Sequence, residues 1–330
     1  MGTWGELWNR LVASARMPGV NERSIPSRIW RGLLLLAAVA VLVYHVLGGW
    51  LLSSDIIDEV FTPPAMLESA ASSDGAASPS DAGLDVDEVT YESPLGPMDA
   101  WVTDGSRSEW VIHVHGAGTS RAQALGAMEF LDEAGYHQMA ITYRNDDGQP
   151  SDPSGQHRYG VTEHQDLAAA AEYAVSAGAT EVVLFGYGSG AAIAQAYAIR
   201  QPLGSVSSMV FDSPNLDLDA TVSEWAAGRT LFGFSPLFTV VETAKFFSSL
   251  RADVNWENYD YVDRSDALST PVLVLHGDAD DVVPVSTSVE FAELRPDLVR
   301  LVITEGAGHV GSLSADPASY AQTVTGFLAN

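Results

Sequence analysis

Residues 182–192 decide the fold of this chain and read Val182-Val183-Leu184-Phe185-Gly186-Tyr187-Gly188-Ser189-Gly190-Ala191-Ala192. An apolar run, typical of a buried strand, enters a glycine-rich corner, and a run of small residues typical of a helix leaves it. Such a corner can present a nucleophilic serine in the pattern Gly-x-Ser-x-Gly. Gly186 and Gly190 fit the outer glycines, so the serine belongs at position 188. That position is occupied by Gly188, and Ser189 follows it.

Composition bounds what kind of protein this is. The chain has 330 residues, 46% of them hydrophobic, which is enough for a full core in one domain of ordinary size. It has no cysteine, so disulfides, thiolate nucleophiles and zinc–thiolate sites are excluded. The net charge of −27 argues against nucleic acid as a partner, because phosphate binding needs clustered lysine and arginine.

The N-terminal part has the pattern of a membrane anchor. Residues 32–52 are apolar over 21 positions, a length that spans the hydrocarbon core, and Trp30 and Trp50 stand where interfacial aromatics are found. Five arginines precede this stretch in residues 1–31, so we expect a cytoplasmic N-terminus and an extracytoplasmic remainder. A cleaved signal peptide is the alternative. It would have a shorter apolar region, followed closely by a small-residue cleavage site.

Residues 53–85 are rich in serine, alanine, aspartate and proline and contain few large apolar side chains. This composition predicts a flexible acidic linker, because it buries too little apolar surface to fold alone. A globular pattern begins near Val86, so the sequence predicts one domain over residues 86–330.

Within that domain, strand and helix patterns alternate. Candidate strands occupy residues 87–92, 98–103, 110–115, 138–143, 181–186, 207–211, 271–276 and 300–304. Candidate helices occupy residues 120–134, 163–177, 189–200, 286–294 and 316–328. Two adjoining strands followed by strand–helix units predict an α/β fold, with a mostly parallel, doubly wound sheet of about eight strands and an antiparallel edge.

One long excursion, residues 213–270, interrupts the alternation and is rich in aromatic side chains. A segment of this length and composition is a candidate helical cap over a site. The alternative is a group of helices that pack on the core of the domain itself. As a cap, it would favour an apolar or aromatic substrate group.

Chemistry-bearing residues follow four of the predicted strands. They lie at the corner, in residues 113–120, at the end of residues 271–284, and in residues 305–309. Ligands of doubly wound sheets bind beyond the carboxyl ends of the strands, so these four segments can converge on one site.

From about residue 86 onward, the chain resembles the α/β-hydrolase family, and within it the serine esterase and peptidase-like branch. The resemblance rests on His276-Gly277, Asp280 and Val283-Pro284 in one motif, on Gly306 and His309 in a second, and on His115-Gly116 in a third. The order nucleophile, acid, base along the chain also matches.

The resemblance implies a role for each of these residues. Asp280 is the acid and His309 is the base that it orients. His115 and Gly116 belong to a loop that supplies one oxyanion donor, the amide of Ala117, and the amide of Ser189 supplies the other. Asp212, after the sixth strand, is a further candidate pocket residue.

The departure from the family pattern is Gly188, which has no side chain to attack a substrate. Three interpretations stay open. In the first, Ser189 is a displaced nucleophile. In the second, the domain is an inactive pseudoenzyme that retains a ligand pocket. In the third, another group acts as the nucleophile or activates a water: Ser120, Asp212, or a water held by His309. The structural alternative for Ser189 is a helix cap.

The predicted ligands follow from these interpretations. An active domain would hydrolyse a carboxylic ester, a thioester or a small amide, and an inactive one would bind an apolar ligand or an envelope partner. The sequence predicts no metal and no cofactor. His113 and His115 lack further ligands, and the corner is a poor nucleotide fingerprint because Ala191 stands at its third glycine.

Overall fold

The computed structural model describes residues 27–62, 78–200 and 204–329, and the chain divides into two compact units, residues 1–45 and 46–330. In the first unit, the described residues belong to helix α1, Ser27–Ile56, which continues into the second unit. The segment Arg28–Phe61 contains an 18-residue window with a mean hydropathy of 2.2, and it is long and apolar enough to cross a membrane. It contains residues 32–52, the predicted anchor. Most of the basic N-terminus predicted for residues 1–31 lies outside the described residues.

The segment predicted as a flexible linker begins as ordered structure. Helix α1 runs on to Ile56, and a π-helical segment, Ile57–Phe61, extends it. Ile56, Val60 and Phe61 are fully buried in the domain. The reason is visible in the sequence, since apolar residues at positions 56, 57, 60 and 61 repeat at helical spacing and give this segment an apolar face. The middle of the predicted linker, residues 63–77, lies outside the described residues.

The domain is built on one sheet of eight strands. The strands are β1 Asp87–Ser93, β2 Gly96–Thr103, β3 Glu109–Val114, β4 His137–Ile141, β5 Glu181–Tyr187, β6 Val206–Asp212, β7 Val272–Gly277 and β8 Val299–Thr304. Their order across the sheet is β1-β2-β4-β3-β5-β6-β7-β8. The first two strands pair antiparallel with each other and with β4, and every pair from β4 to β8 is parallel.

The described part of the domain contains eight further α-helices. They are α2 Leu125–Glu133, α3 His164–Ser176, α4 Ser189–Arg200, α5 Leu218–Ala227, α6 Phe238–Ala252, α7 Val285–Leu294, α8 Ser312–Ala315 and α9 Pro317–Leu328. Short 3-10 helices occupy Arg121–Ala124, Trp256–Tyr259 and Ser265–Ala267. Helices α5 and α6 belong to the excursion at residues 213–270, which we call the insertion.

Helices cover both faces of the sheet, as expected for parallel strands that are apolar on both sides. One core lies between the sheet and helices α3, α4 and α7, with Leu167, Ala194 and Phe291 at its centre. The opposite core lies under α2 and α9. A third apolar cluster joins the insertion to the end of α1.

The predicted fold class is confirmed, including the antiparallel edge and the number of strands. Strand ends shift by a residue or two from the predicted ones, and the helix predicted at residues 120–134 opens with a 3-10 turn before α2 begins.

Candidate active site

The corner between β5 and α4 is as tight as the sequence predicts. Gly188 alone separates the strand from the helix, and its φ of +52° is the left-handed conformation that glycine adopts most easily. A Cβ on Gly186 would lie 2.5 Å from backbone atoms of Ala191, and one on Gly190 would lie 2.0 Å from the carbonyl oxygen of Val114. Positions 186 and 190 therefore exclude any side chain, in agreement with the two outer glycines of the pattern Gly-x-Ser-x-Gly.

The loop after β3 contacts this corner directly. The backbone amide of Ala117 donates a 2.7 Å hydrogen bond to Oγ of Ser189. Ser189 is buried, with 1% of its surface exposed, and it is the first residue of α4. The structure thus brings together the two residues that the sequence predicts as oxyanion donors, and the contact between them involves the Ser189 hydroxyl.

His115 stabilises the same loop. Its Nε2 lies 2.9 Å from Oδ2 of Asp146, its Nδ1 lies 2.9 Å from the carbonyl oxygen of Gly116, and its ring stacks on Tyr143. Burial works to lower the pKa of His115, but the charge of Asp146 and the hydrogen bonds to that carboxylate and to Gly116 outweigh burial and raise it. Both ring nitrogens of this candidate pocket residue therefore have partners within the protein.

Asp280 and His309 form a hydrogen-bonded pair beyond the ends of β7 and β8. Nδ1 of His309 lies 2.9 Å from Oδ2 of Asp280, and both side chains are fully buried. Oδ1 of Asp280 accepts hydrogen bonds from the backbone amides of Val282 and Val283, each at 2.9 Å. His276 Nε2 approaches Oδ2 at 3.1 Å. The loop thus orients the carboxylate, which in turn orients the His309 ring.

The electrostatics of Asp280 keep it ionised. Burial alone would raise its pKa, but hydrogen bonds from His276 and His309, together with the positive charge of His309 when protonated, outweigh burial and hold the pKa well below its usual range. A permanently charged carboxylate at Nδ1 stabilises an imidazolium, which is the form that a base takes after it removes a proton.

Asp212, the last residue of β6, is hydrogen-bonded both to the corner after β5 and to Tyr320 of α9. Its carbonyl oxygen accepts the amide of Gly188 at 2.9 Å, and its Oδ2 accepts the hydroxyl of Tyr320 at 2.8 Å. Burial raises the pKa of Asp212 to about 6, against the opposing effect of the Tyr320 hydrogen bond. The next residue, Ser213, accepts the amide of Val310 on Oγ at 2.9 Å, which ties the loop that contains His309 to the end of β6.

A family model described as the alpha/beta hydrolase family matches residues 111–323, well over half of the chain. The chain belongs to the α/β-hydrolase family. None of the curated proteins matches its sequence significantly.

Solved structures of esterases are similar to this chain in fold. An esterase of Pyrococcus furiosus is 23% identical with a TM-score of 0.60, and the match covers 77% of this chain and 94% of that one. An esterase of a Rhodococcus species is 19% identical with a TM-score of 0.51, over 74% and 98% of the two chains. A bacterial membrane phospholipase A, described as a virulence factor, is 21% identical with a TM-score of 0.50, over 92% and 98%. At identities this low, the similarity establishes a common fold alone.

The sequence did not reveal one contributor to the neighbourhood of the site, the π-helical segment that follows α1. Phe61 packs among the rings of Tyr159, Trp256 and Tyr259 at centroid distances of 5.7–5.9 Å. The Tyr159 hydroxyl donates to the carbonyl oxygen of Val60 at 2.7 Å. Ala117 belongs to the same apolar cluster. The helical spacing of apolar residues at 56–61 was the available signal, and the acidic residues between them obscured it.

No group of three or more histidine, aspartate or glutamate side chains in residues 27–62, 78–200 and 204–329 is arranged to hold a metal ion.

The tightness of the corner gives a test of its register. We expect Gly190→Ala to lower the free energy of unfolding by about 3 kcal/mol, because the new methyl group would overlap the Val114 carbonyl oxygen. For a domain of this size, that is a drop of roughly 10 °C in the midpoint of thermal unfolding, measured on the full chain in detergent. Gly326→Ala in α9 is the matched control, since a Cβ added at that position would have no neighbouring atom within 4 Å. A Gly190→Ala variant as stable as this control would contradict the register.

Proposed function

We propose that the protein is a membrane-anchored, extracytoplasmic hydrolase of carboxylic esters, with thioesters and small amides as related substrates. The observation that carries this proposal is the buried Asp280–His309 pair, whose 2.9 Å hydrogen bond and amide-held carboxylate are the arrangement that a general base needs. Members of the same fold that are described as esterases support the substrate class by analogy.

In this proposal, Ser189 is the nucleophile. Its Oγ accepts the amide of Ala117, and a hydrogen bond to the oxygen favours its alkoxide form. Oγ attacks the ester carbonyl carbon as its proton passes to Nε2 of His309. The tetrahedral intermediate collapses when His309 gives that proton to the departing alcohol oxygen. Water then hydrolyses the acyl-enzyme by the same route in reverse, with His309 again as base.

The charge that develops on the substrate oxygen requires donors. We assign this role to the backbone amides of Ala117 and Ser189, and removal of one such donor lowers a rate by about 10²–10³. The Ala117 amide contacts Ser189 Oγ in the resting protein, so it would have to transfer this hydrogen bond to the substrate oxygen during attack. This exchange is the step that distinguishes the proposed mechanism from one with serine at position 188.

A second candidate function, that of a ligand-binding module without turnover, is favoured by Gly188. Gly188 has the left-handed backbone conformation that would be strained for a serine. It also supplies no hydroxyl at the position where the family pattern has its nucleophile. The Asp280–His309 pair and the pocket around it would then hold an apolar ligand or a partner in the envelope.

Hydrolysis of p-nitrophenyl esters by the purified full chain tests the proposal. We expect Ser189→Ala and His309→Ala each to reduce kcat/KM by about 10³ or more, since each removes an essential member of one catalytic unit. Ser120→Ala is the matched control and should leave the rate unchanged, because that side chain caps the 3-10 turn at Arg121–Ala124. A wild-type rate equal to that of His309→Ala, with activity appearing in Gly188→Ser, would instead establish the binding module.

The proposed location is tested separately. Segment Arg28–Phe61 supports an uncleaved anchor because of its length and hydropathy. We expect the protein to stay in the membrane fraction after a carbonate wash, with its N-terminal residues present by intact mass. A C-terminal tag should be digested by protease added to intact spheroplasts, whereas an N-terminal tag should be protected. Loss of the first 50 or so residues from the mature protein would identify a cleaved signal peptide instead.

A further inference from the structure

Apart from α1, the described chain has most of its exposed large apolar side chains in one part of the insertion. From residue 78 on, the described chain exposes nine large hydrophobic side chains, and six of them lie between residues 232 and 250. Four of the six surround the start of α6, and we call them the apolar tip: Phe232, Phe234, Leu237 and Phe238, with exposed fractions of 54–73%. Residues 230–241 also carry no charge, in a chain with 59 charged side chains. A surface of this kind on a strongly acidic protein marks a site of interaction.

The backbone of the apolar tip is held in place. Leu231 and Phe234 exchange backbone hydrogen bonds of 2.7 and 3.1 Å across a tight turn, which Gly233 makes with a φ of +87°. The turn fixes the Phe234 side chain in solvent, 73% exposed. Its exposure is therefore a property of an ordered turn.

The apolar tip lies next to the end of the anchor helix. A Cβ on Gly48 would contact Leu231 and Val240, and one on Gly49 would contact Thr243. Farther along, Trp50 packs edge-to-face on Phe247, and Arg251 donates to the hydroxyl of Ser53 at 2.6 Å. Positions 48 to 53 thus meet positions 240 to 251 in the same order, so the two helices run in the same direction. Because of this direction, the start of α6 lies at the level of Gly48, and its end lies nearer Ser53.

The length of the anchor sets the depth of these contacts. A helix rises about 1.5 Å per residue, so a span that begins at Gly32 has advanced about 24 Å at Gly48, still short of the ~30 Å of the hydrocarbon core. Side chains that pack against Gly48 lie at that same depth. Arg251, whose guanidinium stacks on Trp50 at 4.3 Å and bonds to Ser53 and Ser54, lies farther along at the level of an interfacial aromatic.

We propose that the apolar tip enters the lipid bilayer beside the anchor helix. Residues 213–270 then give the domain a second contact with the membrane, in addition to the anchor helix itself. This inference rests on the membrane anchoring proposed above. The contact is apolar in character, because the net charge of −27 repels anionic lipid and the tip itself is uncharged. Burial of exposed phenylalanine in the membrane is the driving force.

The absence of native cysteine allows a direct test, because a single introduced thiol is the only one in the chain. Phe234→Cys carries an environment-sensitive NBD label, and Phe238→Cys is a second labelling position. Val175→Cys is the matched control, an exposed apolar side chain on α3. The full chain is reconstituted into phosphatidylcholine vesicles with brominated acyl chains, and the measurement uses protein that remains bound after a carbonate wash.

We expect bromine to quench the labels at 234 and 238 at least about twofold more than the label at 175, since a probe within the ~30 Å hydrocarbon core meets the brominated chains. Retained protein whose labels at 234 and 238 behave like the label at 175 would overturn the inference and leave the anchor intact. A blue shift that grows with the protein-to-lipid ratio and does not respond to bromine would overturn it in favour of a second copy of the chain. Failure to be retained after the wash would overturn the anchor and the inference together.

Discussion

The packing of the corner after β5 against the end of β3 is the contact on which the rest of the site depends. Gly190 approaches the Val114 carbonyl oxygen so closely that a methyl group would lie 2.0 Å from it. This approach starts α4 directly beside the β3 loop, and it puts Ser189 within 2.7 Å of the Ala117 amide. Any side chain at position 190 would push α4 away from β3 and separate these two groups.

Two further loops complete the arrangement by hydrogen bonds of their own. The amides of Val282 and Val283 hold Asp280, which holds His309, and the Ser213 hydroxyl accepts the amide of Val310 just beyond that histidine. The Asp280–His309 pair is therefore positioned by hydrogen bonds that do not involve residue 188. This independence explains how the pair can stay assembled in a chain with glycine at position 188.

Most of the fold could be predicted from sequence because it depends on local patterns. Continuous apolar runs identified the buried strands, and glycine spacing identified the corner, since only glycine fits at 186 and 190. The Asp280 and His309 motifs carried a specific spacing on loops at strand ends. Tertiary contacts were harder to predict. Nothing local indicates that the Ser189 hydroxyl meets the Ala117 amide or that Phe61 packs on Trp256 and Tyr259 of the insertion. Nor does it indicate that α6 packs beside the end of α1.

The proposed role of Ser189, a nucleophile displaced from the usual position, can be tested by mapping the site of covalent modification. The full chain would be treated with a fluorophosphonate probe, digested, and analysed by peptide mass spectrometry. We expect an adduct on Ser189 in the wild type and none in His309→Ala, because the base is needed to generate the attacking oxygen. An unmodified wild type, with an adduct on the introduced serine in Gly188→Ser, would contradict it.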